Sequence, residues 1–154
     1  MKIRKAELRD LAEIVQIEEL CFPEETAFPP KMFIYLIRYS VALVACEPEE
    51  KVVGFVMGYT SGNGGAVYTL DVHPLCRRRG VASMLILALE EKLSGMGARS
   101  IHLEAALENP GSLQLYSKAG YVVGEKVRNY YGRGKHAVRM WKTLEYNGPF
   151  FREK

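Results

Sequence analysis

Apolar positions along the chain recur with two periods, two residues and about 3.6 residues, and the changes of period mark its elements. Lys2–Ala6 alternates and predicts a short strand. Arg9–Leu20 predicts a helix, because Leu11, Ile14, Val15 and Ile17 fall near one face, with Asp10 as a candidate cap. Three prolines make Cys21–Pro30 a loop, and Lys31–Tyr39 predicts a second helix with Phe33, Ile34 and Ile37 on one side. Val41–Glu47 is a continuous apolar run, the pattern of a buried strand. A turn at Pro48–Lys51, a strand over Val52–Thr60 and a loop at Ser61–Gly65 follow. Ala66–Val72 is a strand that Pro74 ends. Val81–Leu93 carries the strongest helical pattern, with Ala82, Leu85, Leu89 and Leu93 in register and Gly95 and Gly97 closing it. Ser100–Ala105 is a strand. Asn109-Pro110 then has the form of a cap followed by proline at the first helical position, opening a helix that runs to Ala119 and stops at Gly120. Tyr121–Asn129 and Ala137–Leu144 form a last antiparallel pair around the Gly132–Gly134 turn. The order β-α-α-β-β-β-α-β-α-β-β predicts an α/β (α+β) mixed sheet.

Composition narrows the class without naming a function. The 154 residues fit one domain over 1–154, with 48% hydrophobic and 25% charged residues. That balance excludes disorder, collagen and coiled coil as the main architecture. A net charge of +3 is too small to predict a specific nucleic-acid partner. No apolar run nears the roughly 20 residues of a membrane span, so no membrane partner is expected. The opening MKIRKAELRD has no apolar signal core, and the expectation is a cytoplasmic protein. Cys21, Cys46 and Cys76 are an odd, widely spaced set that suits a reducing compartment and matches no zinc pattern; no metal is expected.

The candidate chemistry concentrates in Tyr68–Leu93, where a strand ends at a proline, a basic turn follows and Gly80 opens a long helix. The first amides of a helix lack internal partners and point outward into a positive potential, which makes an anion site. Gly80 lets backbone approach a phosphate, and Arg77, Arg78 and Arg79 add charge at the rim. From spacing alone, a solvated basic loop capping a helix stands beside this reading. Neither a P-loop nor a G-x-G-x-x-G pattern is present.

Arg77-Arg78-Arg79-Gly80-Val81-Ala82 resembles the R/Q-x-x-G-x-G/A acetyl-CoA motif of the GNAT superfamily of N-acetyltransferases. His102–Tyr121 (HLEAALENPGSLQLYSKAGY) independently resembles the signature of ribosomal-protein alanine acetyltransferases (RimI-like) and related protein Nα-acetyltransferases. Glu104, Asn109, Leu115, Tyr116 and Gly120 fall in register, with Ser112 for the usual alanine and Tyr121 for phenylalanine. The resemblance implies the GNAT fold, a central mostly antiparallel sheet splayed at the acetyl-CoA site. It implies that Arg78, Arg79, Gly80, Val81, Ala82 and Ser83, with Arg77 at the rim, hold the pyrophosphate of acetyl-CoA. It further implies that the backbone of Leu70, Asp71 and Val72 pairs with the pantetheine arm as another strand would.

Acetyl transfer to an amine needs the amine neutral, a base for its proton and a donor for the leaving thiolate. The resemblance assigns these to Glu104 as base, through water, and Tyr116 as acid, with Asn109 against the cofactor. Their plain alternatives are a solvated strand-end carboxylate, a core tyrosine and a helix cap. Phe22-Pro23-Glu24 resembles the substrate-pocket loop of Nα-acetyltransferase subunits, with Glu24 as a second acid/base or merely a surface charge. Tyr130-Tyr131 resembles the family's paired tyrosines that hold a substrate's N-terminal backbone. Lys135 and His136 stand where the family often has acidic residues, so exchanging them for Glu and Asp is expected to move peptide preference. The implied substrate is a protein or peptide N-terminus, including a ribosomal protein, with an auxiliary subunit as a further partner. A polyamine or aminoglycoside acetyltransferase, a non-catalytic acyl-CoA-binding module and a nucleic-acid binder stand as alternatives. The tail Glu145–Lys154 carries aromatics that pack back on the sheet or bind a partner.

Overall fold

The computed structural model describes residues 1–145. Most of the aromatic tail lies outside the described residues. The chain runs β1 (Lys2–Lys5), α1 (Leu11–Cys21), α2 (Pro30–Tyr39), β2 (Val41–Cys46), β3 (Val52–Ser61), β4 (Gly64–Val72), α3 (Val81–Gly95), β5 (Ser100–Ala106), α4 (Pro110–Lys118), β6 (Val122–Val127) and β7 (Ala137–Thr143). Short 3-10 turns sit at Leu8–Asp10, Pro48–Glu50 and Pro74–Cys76. The strands form a seven-stranded sheet in the order β1-β2-β3-β4-β5-β7-β6. The closing hairpin lays β7, not β6, against β5.

Strands β2 and β3 are continuous apolar runs because both their faces are covered. On one face Leu43, Ala45 and Val56 pack with Leu85, Ile86, Leu89 and Leu93 of α3. On the other, Val44, Phe55 and Met57 pack with Ile14 and Ile17 of α1 and with Phe33 and Leu36 of α2. Helix α3 lies so close to β3 that a Cβ at Gly58 would stand 2.6 Å from the Ala66 carbonyl oxygen and 2.9 Å from Leu89 Cδ2. The oxygen belongs to the paired strand and cannot yield without loosening the ladder. Gly58→Ala is therefore expected to cost about 1–3 kcal/mol, seen as a lower urea midpoint; an unchanged midpoint would mean that the bulge beside it absorbs the methyl.

Neighbouring strands are antiparallel except β4 and β5, which are parallel and pair only between Gly64–Ala66 and Ser100–His102. Beyond that point β4 stays with β3 and β5 stays with β7, so the sheet splays. Both strands run their carboxyl ends into the gap, the position where parallel strands present ligand sites.

Three local expectations change. Asp10 does not cap α1; it closes the preceding 3-10 turn, accepting from the Glu7 amide at 2.8 Å and from both terminal nitrogens of Arg4 at 2.9 Å. The expected Ser61–Gly65 loop is a two-residue turn, since Ser61 pairs with Gly64. Strand β6 stops at Val127, short of Asn129, because Asn129 takes a left-handed φ of 57° and ties off the following loop. Its amide donates to His136 Nδ1 at 3.0 Å and its side-chain oxygen accepts from the Gly134 amide at 2.8 Å.

Candidate active site

The basic turn between β4 and α3 leaves the start of a long helix uncapped. Gly80 precedes the helix with φ 78°, and no side chain caps the first turn. The amides of Val81, Ala82 and Ser83 therefore have no partner among the described residues. A Cβ at Gly80 would meet nothing within 4 Å, so glycine is required by its φ and not by crowding in the free protein. Arg78 also has a positive φ, 64°, uncommon for a side-chain-bearing residue. Successive turns of this kind aim backbone N–H groups into one concavity.

A cavity of about 580 Å³ fills the gap between β4 and β5. It is lined by Phe22 and Pro23 from the loop after α1, Leu70 from β4, Glu104 from β5, Asn109 and Tyr116 from α4, and Tyr130 and Tyr131 from the loop after β6. Alternation along β5 puts Ile101, Leu103 and Ala105 in the core and leaves His102 and Glu104 on the other face. Glu104 lies opposite Arg139 in the ladder, and Arg139 Nε donates to Glu104 Oε2 at 3.1 Å. That bond raises the Arg139 pKa against the opposing effect of burial, so the guanidinium is a fixed positive partner. Tyr131 donates its hydroxyl to the Glu104 carbonyl at 2.9 Å, which ties the loop to the strand end. Burial first, then the Glu104 charge and a hydrogen bond to that carboxylate, pushes the Tyr130 phenol up to about 12.

Tyr116 is buried on α4 with its ring against Tyr121 at 5.9 Å between centroids. Tyr121 is in turn held by Glu90, whose other oxygen accepts from Lys142 Nζ at 2.8 Å. The Tyr116 hydroxyl has no partner among the described residues. Burial first, then the nearby Asp71 carboxyl, pushes its pKa well above the ordinary tyrosine range. It is thus a neutral O–H free to donate to a ligand in the cavity.

A second acidic feature sits behind this wall. Glu18 of α1 and Asp71 of β4 are 2% and 3% exposed, and Glu18 Oε1 and Asp71 Oδ2 have no hydrogen-bond partner among the described residues. Burial first, then the hydrogen bond to Glu18, pushes the Asp71 carboxyl up to about 9. The native state therefore keeps a proton that the unfolded chain loses near pH 4, and stability falls as pH rises through that window. Asp71→Asn, which keeps a donor toward Glu18, is expected to remove up to about 1.4 kcal/mol per pH unit of this loss. The check is thermal unfolding from about pH 5 to about pH 9; parallel curves for variant and wild type would contradict it.

Residues 11–121 match the model of the Acetyltransferase (GNAT) family. The chain belongs to the GNAT family. Its structure superposes on the ribosomal-protein-S18-alanine N-acetyltransferase of Escherichia coli with TM-score 0.82 at 21% identity, covering 99% of both chains. It superposes on Ard1 of Thermoplasma volcanium with TM-score 0.85 at 23% identity, covering 94% of this chain and 97% of that one. An aminoglycoside 6'-N-acetyltransferase complexed with coenzyme A gives 0.80 at 19%, covering 93% and 97%. These likenesses establish the fold, and they include acetyltransferases for different amine classes.

Several GNAT motif residues stand where the sequence put them, and some do not. Asn109 Oδ1 accepts from the Ser112 amide at 3.1 Å, so it caps α4 and also lines the cavity. Glu24 does not reach the cavity; its neighbour Glu25 lines it instead, because the Pro23–Ala27 turn rotates successive side chains. Arg77 does not extend to the anion rim but folds back, its Nε 3.3 Å from the Val72 carbonyl and its Nη2 3.3 Å from Cys21 Sγ. The Val72 carbonyl is thereby engaged within the protein. Arg79 stays exposed, 3.4 Å from Glu47. Arg139, Glu25 and the Glu18–Asp71 pair were absent from the sequence reading of the site's side chains. Arg139 has no local signal, since only the β5–β7 register brings it to Glu104.

Proposed function

We propose that this GNAT enzyme moves acetyl from acetyl-CoA to the α-amino group of protein or peptide N-termini by direct attack in a ternary complex. What supports the reading is that one cavity gathers Glu104, Tyr116, the paired tyrosines and the Phe22-Pro23 loop beside the α3 anion cradle. Arg78, Arg79 and the amides of Gly80–Ser83 hold the pyrophosphate. The free edge of β4 at Leu70–Asp71 takes the pantetheine arm. Asn109 and Tyr116 face the cofactor, and Tyr130 and Tyr131 hold the first backbone unit of the acceptor. The amine nitrogen attacks the thioester carbonyl carbon and gives its proton to Glu104 through water; the C–S bond breaks and Tyr116 gives its proton to sulfur. Solvent then carries a proton from Glu104 back to Tyr116. A ribosomal protein as acceptor, an auxiliary subunit and a cytoplasmic setting belong to the same proposal.

The carboxylates of Glu18, Glu25, Glu104 and Glu108 outnumber Lys135 around the cavity, which favours an acceptor that arrives as a cation and gives one proton to solvent before the neutral amine attacks. That lining also favours a second reading, acetylation of a polyamine or an aminoglycoside. CoA release is the test, with acetyl-CoA and peptides beginning Ala, Ser, Met, Glu or Leu, beside spermidine and an aminoglycoside. Turnover on free α-amino peptides is expected; turnover on spermidine or the aminoglycoside alone would overturn the peptide reading.

A further inference from the structure

Glu18 is the last-turn carboxylate of α1 and reaches two ways. Its Oε2 accepts the Phe28 amide at 2.8 Å, across the whole Phe22–Phe28 loop that follows the helix, and its backbone carbonyl accepts the Phe22 amide at 2.9 Å. Its other oxygen is buried and has no hydrogen-bond partner among the described residues, and the same holds for Oδ2 of Asp71 of β4, the carboxyl that faces it. Thr69 supplies a hydrogen bond to Asp71 Oδ1 at 3.2 Å, leaving Oδ2 for Glu18. Two buried carboxylates in contact cannot both ionise, so the pair holds one proton and one negative charge. A second link runs alongside, from Cys21 Sγ to the Val72 carbonyl at 3.5 Å. One end of this seam is the loop whose Phe22, Pro23 and Phe28 line the cavity; the other is the strand whose free edge opens on it.

We propose that Glu18 and Asp71 form a proton-bridged lock that fixes the acceptor loop of the cavity to the cofactor strand, and that this lock sets acceptor affinity. Both are positioning residues, acting through the loop. As an account of acceptor affinity, the inference rests on the proposed function; as an account of loop anchoring it stands by itself. The groups that face Asp71 are Glu18 and Cys21 from α1, Thr69 on its own strand, Arg77 from the turn after β4 and Tyr116 from α4. Of these, Glu18 is the carboxylate that competes for the proton, and Arg77 is the cation that favours its release. Raising the pH through the titration of the pair removes the bridging proton, sets two negative charges against each other and releases the loop.

The test uses the full chain as wild type, Asp71→Asn and Asp71→Ala. Hydrogen exchange reads protection of the 22–28 amides without substrate, and initial rates read KM for an Ala-initiated peptide and for acetyl-CoA. Asp71→Ala is expected to lower loop protection and raise peptide KM, each roughly tenfold, with a smaller change in acetyl-CoA KM. Asp71→Asn, which retains the donor, restores both and abolishes the loss of protection that wild type shows near pH 10. Loop protection that is equal in all three proteins, or an Asp71→Asn that behaves as Asp71→Ala, overturns the lock. If wild type acetylates no α-amino peptide, the proposed function falls, and the exchange data still decide the anchoring.

Discussion

Replacing Glu104 with glutamine is expected to lower kcat by about 10²- to 10⁴-fold, the range for losing a positioned general base. The substitution keeps the shape and an oxygen that can accept from Arg139 Nε, the 3.1 Å contact that orients the carboxylate. What it removes is the basicity of the carboxylate. Acetyl-CoA affinity, measured by calorimetry, should stay near the wild-type value. The pH profile separates a base from a mere spacer. An α-amine with pKa near 8 is about one-tenth neutral at pH 7 and mostly neutral by about pH 9. The wild-type advantage should therefore shrink as pH rises. A constant ratio across that range would mean that Glu104 acts through geometry alone.

Tyr116→Phe is expected to lower kcat by about 10²-fold and to leave unfolding nearly unchanged. The reason is structural: the hydroxyl has no hydrogen-bond partner among the described residues, so its removal orphans no buried group. Its ring contact with Tyr121 survives in phenylalanine. The raised pKa, caused by burial and then by Asp71, keeps the phenol protonated throughout the working range, so a proton is present there for the leaving thiolate. An acetyl donor with a more acidic thiol needs that proton less. The variant's deficit should then be smaller with an aryl thioester than with acetyl-CoA. An equal deficit with both donors would assign Tyr116 to binding.

The parts of the site that were legible in the sequence are those set by neighbours in the chain. Gly80 before an amphipathic run, and Asn109-Pro110 before another, announce helix starts, and both helices begin there. The alternation of Ser100–Ala105 places Glu104 away from the core without any knowledge of the sheet. What was not legible depends on residues far apart in the chain. The register of β5 on β7 brings Arg139 to Glu104 across 35 positions. The packing of α1 on β4 joins Glu18 to Asp71, two acidic residues that a linear reading gives no reason to pair. The loop after α1 shows the same limit at short range. A motif match selects Glu24, whereas the backbone path of the turn turns Glu25 toward the cavity. Arg77 reads as one of three equivalent arginines, but the break in the ladder after Val72 exposes a carbonyl and Cys21 Sγ that take it out of the set.

The central claim concerns which nitrogen receives the acetyl group, and one measurement addresses it directly. A short peptide with a free N-terminal alanine and an internal lysine is incubated with acetyl-CoA and the enzyme near neutral pH, and the modified nitrogen is located by fragmentation mass spectrometry. At that pH less than about one lysine in a thousand is neutral, against about one α-amine in ten. Combined with the proposed role of Tyr130 and Tyr131 in holding the acceptor's first backbone unit, this predicts acetyl on the α-nitrogen alone. Acetyl on the lysine Nζ, with the α-amine left free, would contradict the account.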